Sequence, residues 1–293
     1  MEDDVKHQYY FSCISSITAC IILSVAYVAS LYVWNTPHNR NHPSVIKKRF
    51  FSVFIVMLIS PIFTYMFTRC NKFSTLTLWE LLGFRWQGFL LATVLPLILT
   101  VTLFLGPLAL QGFSGLWNLY AEPMFWVNNV QSLQWLRNYV VAPLSEEFTF
   151  RACMIPLLLQ CLSPSKAIFI CPLFFGIAHF HHMADRMKSG LNFQKALLIS
   201  CFQFSYTTVF GAYSAYLFLR TGHFVAPFLA HAFCNHMGFP DFNELATLPE
   251  PNRTAVMALS VIGLLAFCLL LDPLTNPEWY HNHIFYTLPL DAS

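Results

Sequence analysis

From Phe11 to Thr36 no residue carries a formal charge. A helix needs about 20 apolar residues to cross the hydrocarbon core of a bilayer, where every backbone polar group must be satisfied within the protein. The run at about 11–34 meets that length, and further apolar runs fall at about 50–68, 89–110, 126–142, 144–161, 166–180, 194–219, 224–239 and 255–271. The run at 126–142 contains Asn128, Asn129, Gln131, Gln134 and Arg137, which suits an interfacial segment. The pattern therefore predicts an all-α polytopic integral membrane protein, with about eight transmembrane helices enclosing an intramembrane catalytic cavity. A single polytopic membrane domain over residues 1–293 is expected, with its motif-bearing core at about 140–240. No repeat period and no inserted soluble domain is visible.

Composition supports the same class. The chain is 56% hydrophobic and 10% charged, with a mean hydropathy of +0.54, whereas a soluble domain carries about 25% charged residues. The net charge of +2 is small, and the basic residues sit at segment ends and in loops. Nucleic acid is thus excluded as a partner, and the lipid bilayer is the expected one. The nine cysteines form no C-x-x-C pair and lie mostly inside apolar runs, as reduced small hydrophobes do. The acidic start and long first run do not fit a cleavable signal. The ending LPLDAS holds no prenylation or retention signal. Arg40, Lys47, Lys48 and Arg49 make the loop at 35–49 basic, which places it in the cytosol; Arg69, Lys72 and Arg85 in the loop at 69–88 pull against that orientation. Asn252-Arg253-Thr254 is a glycosylation sequon, but it abuts a membrane span.

Against this background, residues 142–156, APLSEEFTFRACMIP, place three charges inside an apolar run. A carboxylate in the membrane costs several kcal/mol and usually marks a functional site. On a helix Glu147 and Arg151 share a face at i and i+4, and Glu146 points about 100° away. Arginine then neutralises one glutamate and leaves the other free. The alternative is an ion pair that only fixes packing, with Glu146 facing water. From Glu146 the helix runs to a turn at Ser163-Pro164-Ser165, and a second helix returns to His179. The two arms are about 25 Å and about 21 Å long, so an antiparallel hairpin brings His179 to the depth of Glu146.

A third element, residues 223–239, carries His231 and Asn235 on one face of an apolar helix. They could serve as hydrogen-bond donors or as interhelical contacts. His236 lies off that face and is expected to be structural, and His181 and His182 are expected in a loop. Together the set supplies what hydrolysis of an amide by water requires. Glu146 and His179 can take a proton from water and pass it to the leaving amine, and burial beside Glu147 makes Glu146 a stronger base. His231 and Asn235 can hold the developing oxyanion. No G-x-S-x-G or H-E-x-x-H motif is present.

Glu146-Glu147-x-x-x-Arg151, Phe175-x-x-x-His179 and His231-x-x-x-Asn235, in that order, resemble the type II CAAX prenyl endopeptidases, or Ras-converting enzymes, within the wider ABI group of membrane proteases. The resemblance implies a multi-pass endoplasmic-reticulum protease. It would remove the last three residues of prenylated C-a-a-X proteins such as Ras-like small GTPases. Carried over, Glu146 and His179 activate water and His231 and Asn235 form the oxyanion hole. Glu147, Arg151 and Phe175 match the motifs as supporting residues. No cofactor is expected; the alternative is a zinc protease with His179, His231 and Glu146 as ligands. A proton-coupled transporter and a non-catalytic scaffold are the rival classes. The first lacks internal repeats here and the second would be marked by loss of Glu146 or His179.

Overall fold

The first apolar run forms the second half of helix α1 (Glu2–Ser30), and the basic loop that follows leads into α2 (Pro43–Thr68). The computed structural model describes residues 2–68, 73 and 75–285, and among these there is no strand. Arg69 and Lys72, which bear on the orientation of the loops, lie outside the described residues. A bent pair follows, α3 (Phe89–Leu103) and α4 (Leu105–Phe113), at 68° to one another. Short helices at Leu116–Tyr120 and Pro123–Gln131 precede a longer helical stretch, α5, covering residues 133–158. After it come α6 (Pro164–Ala178), α7 (His181–Lys188), α8 (Phe193–Thr221), α9 (Val225–Met237) and α10 (Asn252–Leu274).

The all-helical, polytopic reading holds. Four helical segments (Cys13–Ser30, Pro43–Thr68, Pro164–Lys188 and Asn252–Leu274) are individually long and apolar enough to cross a membrane, and the bent pair α3/α4 meets the same measure only when its two helices are taken together. The run at 126–142, set apart as interfacial, breaks at Ser132, which caps the next turn through its side chain. Of the runs counted as spans, that at 224–239 gives α9, which has only 13 residues. The burial pattern is that of a membrane protein. Leu90, Val209 and Leu269 are 77%, 73% and 77% exposed, while Glu147 and Arg151 are fully buried. Apolar side chains face outward and charge faces inward, the arrangement a hydrocarbon solvent imposes.

Helix α5 is the axis of the site. Residues 147–160 are all buried, enclosed by α1, α2, α6 and α8. The helix is not regular. Arg137–Val141 and Phe148–Cys153 are π-helical turns on either side of Glu146 and Glu147. Pro143 and Pro156 explain them, since proline removes an N–H and its ring crowds the carbonyl four residues back. Widening the preceding turn relieves that crowding: the Ala142 N–H reaches the carbonyl of Arg137, five residues earlier. Such π turns occur frequently at functional sites.

The predicted hairpin forms. Ser163 caps α6 by accepting from the Lys166 N–H at 3.4 Å, and Pro164 occupies the first turn, where its missing N–H costs nothing. Helix α6 ends at His179, whose N–H bonds the Gly176 carbonyl at 3.1 Å. α6 and α8 form the most extensive helix pair, and two glycines set their approach. A Cβ on Gly176 would lie 2.3 Å from Thr208 Oγ1. One on Gly211 would lie 2.9 Å from both Pro172 Cβ and Arg151 Nη2. Small residues let membrane helices pack closely where no hydrophobic force drives them together. Gly211→Ala is therefore expected to lower stability by about 1–3 kcal/mol, the usual cost of overpacking, read as a lower thermal midpoint in detergent. An unchanged midpoint would show that α6 and α8 can part without loss.

Candidate active site

The centre of the site is Glu147, and it has three partners. Arg151 Nη1 donates to Oε1 at 3.1 Å, His231 Nδ1 lies 2.6 Å from the same oxygen, and the Ser214 hydroxyl donates to Oε2. The carboxylate can only accept when ionised, so the proton of His231 sits on Nδ1. Carboxylates taken from water survive burial when each oxygen is paired in this way. The Arg151 guanidinium also stacks over the Phe175 ring at 4.2 Å, a contact worth about 2 kcal/mol when desolvated. The expected pair of Glu147 and Arg151 is thus present, and it extends to α8 through Ser214 and to α9 through His231.

Glu146 is turned from the Glu147–Arg151 pair, as its 100° offset predicts, and approaches the cluster at His231. It lines a cavity of about 180 Å³ together with His179, Phe150 and Phe175. The hairpin has brought His179 to the same cavity as Glu146. His179 Nδ1 lies 2.8 Å from the Phe175 carbonyl. A carbonyl can only accept, so the neutral ring carries its proton on Nδ1 and leaves Nε2 as a base. Phe175 packs edge-on against both His179 and His231, at 4.6 and 6.1 Å between ring centres. This residue, a motif position without chemistry of its own, therefore fixes two imidazoles and the arginine.

His231 and Asn235 are placed differently from Glu146 and His179. His231 Nε2 is 3.7 Å from Glu146 Oε2, but neither His231 nor Asn235 lines the cavity. With Nδ1–H committed to Glu147, the neutral His231 ring has no second N–H to offer an oxyanion. It becomes a donor at Nε2 only with a second proton. Asn235 is exposed and gives one amide hydrogen to the Asn138 carbonyl at 3.0 Å, keeping the other. Among the described residues no group of three His, Cys, Asp or Glu side chains is arranged to hold a metal ion.

Other positions differ from expectation or were not singled out. His181 and His182 are not loop residues: they begin α7 and line the cavity beside His179. His236 packs among Tyr120, Trp126 and Tyr139, as a structural residue would. None of the eight described cysteines is in a disulfide. Ser214 and Tyr27 were not foreseen. Tyr27 of α1 shares a hydrogen bond of 2.9 Å with Ser145, one residue before Glu146. Their signal was faint, since single hydroxyls in apolar helices usually bond their own backbone.

Comparison with known proteins was made on this basis. Residues 128–237 match the family model described as Type II CAAX prenyl endopeptidase Rce1-like. The chain is 44% identical to CAAX prenyl protease 2 of Homo sapiens over 277 residues, 92% of this chain and 83% of that protein. It is 40% identical to the protein of the same name from Rattus norvegicus, over 92% of this chain and 82% of that one. The Saccharomyces cerevisiae protein of that name is 30% identical, over 79% of this chain and 82% of its own length. No solved structure gives a significant match.

Proposed function

Since the chain belongs to the type II CAAX prenyl endopeptidase family, and is a membrane protease, we propose that it removes the C-terminal tripeptide from prenylated C-a-a-X proteins by attack of a water held between Glu146 and His179. The observation that carries this reading is the shared cavity: a carboxylate and an imidazole with a bare Nε2 face the same space.

In the proposed reaction Glu146, with His179 beside it, takes one proton from the water. The hydroxide forms a bond to the prenylcysteine's own carbonyl carbon. The carbonyl π electrons move to oxygen, giving a tetrahedral oxyanion. As the oxyanion collapses the C–N bond breaks, and the proton held by the Glu146/His179 pair passes to the departing amine. The products are a prenylcysteine carboxylate and a free tripeptide. Asn235, through its uncommitted amide hydrogen, and His231, when doubly protonated, are the proposed oxyanion donors; each such donor is typically worth about 10²–10³ in rate. Glu147 holds His231 in orientation, and Arg151 holds Glu147. No metal takes part in this proposal.

The lipid-exposed exterior supports a substrate that reaches the site by lateral diffusion of its isoprenoid chain. The endoplasmic-reticulum membrane is the proposed location and Ras-like small GTPases the proposed substrates. The test is release of tripeptide from a farnesylated C-a-a-X peptide by purified protein, against the same peptide without the farnesyl group. Release from the farnesylated peptide alone is expected, and it should persist with strong chelators. Equal cleavage of both peptides would remove the prenyl group from the reading. Loss of activity in chelator, restored by zinc, would replace the proposed chemistry with a metal-assisted one.

A further inference from the structure

Three arginines line the same cavity as Glu146 and His179: Arg40 from the loop after α1, Arg49 from α2 and Arg137 from the first π turn of α5. Among the described residues none of the three forms an ion pair; Arg151, Arg220 and Arg253 do, and Arg85 and Arg186 are held by neutral groups. Arg137 is instead positioned by neutral groups: Nη1 donates to the Arg40 carbonyl at 3.1 Å and to Asn41 Oδ1 at 3.0 Å, and Nε donates to Asn138 Oδ1 at 3.0 Å. Arg49 lies 5.4 Å from the Tyr32 ring, and its Nε is buried without a hydrogen-bond partner. The acidic groups near them are otherwise engaged. Asp185 accepts from the Tyr32 hydroxyl at 3.2 Å and lies 3.9 Å from His182 Nδ1, and Glu146 faces the reacting bond in the proposed function.

Three cations sharing one cavity repel each other, and that cost persists unless an anion sits among them. A C-a-a-X substrate brings one obligatory anion, its terminal α-carboxylate. That group lies three residues beyond the bond to be cut, roughly 10 Å along an extended chain. The planar guanidinium fork matches a carboxylate in shape and charge. We propose that Arg40, Arg49 and Arg137 form a subsite for the C-terminal carboxylate of the substrate, so that the enzyme measures three residues from the chain end to the scissile bond. The inference rests on the proposed function and deepens it. An anionic lipid phosphate has related chemistry, and the test separates the two.

The experiment compares two farnesylated C-a-a-X peptides, one ending in a free carboxylate and one in a carboxamide, with full-length protein in phosphatidylcholine vesicles. The wild type should favour the acid by roughly 10- to 100-fold in kcat/KM, the range of a charged hydrogen bond, with KM carrying most of the difference. Arg49→Gln and Arg137→Gln should bring that ratio toward one, and Arg49→Lys should keep part of it. Arg137 also ties the loop to α5, so Arg49→Gln decides the matter if Arg137→Gln fails to fold. Equal cleavage of acid and amide by the wild type would overturn the subsite and leave the endopeptidase reading standing. A ratio unchanged in Arg49→Gln, with activity now altered by added anionic phospholipid, would overturn it in favour of a lipid site. Cleavage of neither peptide by wild type would overturn the endopeptidase reading itself, and the subsite with it.

Discussion

Replacing Glu146 with alanine should lower tripeptide release from a farnesylated C-a-a-X peptide by at least about 10², the minimum ordinarily lost with a positioned general base. The reason is its isolation from the structural network. Glu147 has Arg151, Ser214 and His231 to compensate its charge, while among the described residues Glu146 has only the 3.7 Å approach of His231 Nε2. A carboxylate left that free at the wall of a buried cavity is available to accept a proton. Glu146→Gln sharpens the test, because the amide keeps the shape and removes the basicity. Both variants should fold as wild type does and lose kcat rather than binding. Substantial rate in Glu146→Gln would take the carboxylate out of proton transfer and leave it, at most, a hydrogen-bonding role. A parallel loss in His179→Ala is expected from the same cavity.

The second large effect is on folding. Arg151→Met should destabilise the protein by about 3–5 kcal/mol, because it leaves the fully buried Glu147 carboxylate without its cation. It also removes the stacking on Phe175 and loosens the packing against Gly211. The effect appears as a lower thermal midpoint in detergent. Adding Glu147→Gln to Arg151→Met should recover part of the loss, since a neutral amide no longer demands a buried counter-charge. A double variant no better than Arg151→Met would mean that packing, and not charge, carries the arginine's contribution. A midpoint near wild type for the single variant would show that Ser214 and His231 alone can hold Glu147.

Much of the site could be read before any coordinates. A charged triplet in an apolar run is legible because bilayer energetics make it costly, and the i, i+4 spacing of Glu147 and Arg151 fixes their pairing on any helix. The return of His179 to the cavity of Glu146 follows from two arm lengths and a proline-bearing turn. The placement of His181 and His182 was less legible, because α7 follows α6 almost without a break and composition does not mark where a membrane helix ends. The partner of His231 could not be foreseen. It depends on α9 meeting α5 from the far side of the chain, and an imidazole can be held from either nitrogen. The arginines of the cavity wall were visible only as a topology signal, for Arg40 and Arg49, and as a mark of an interfacial run, for Arg137, which lies far from both in sequence.

The sequence by itself determined the solvent, the helical class, the separation of Glu146 from Glu147 and the order of the three motifs. Each follows from local periodicity or from the cost of burying charge, and needs no knowledge of neighbours. Tertiary structure alone decided which nitrogen His231 commits to Glu147, which way Asn235 turns and which cations share the cavity. Those outcomes depend on how α1, α2, α6, α8 and α9 close around two proline-widened turns of α5. Contacts between segments so distant along the chain are set by packing, which no single segment encodes.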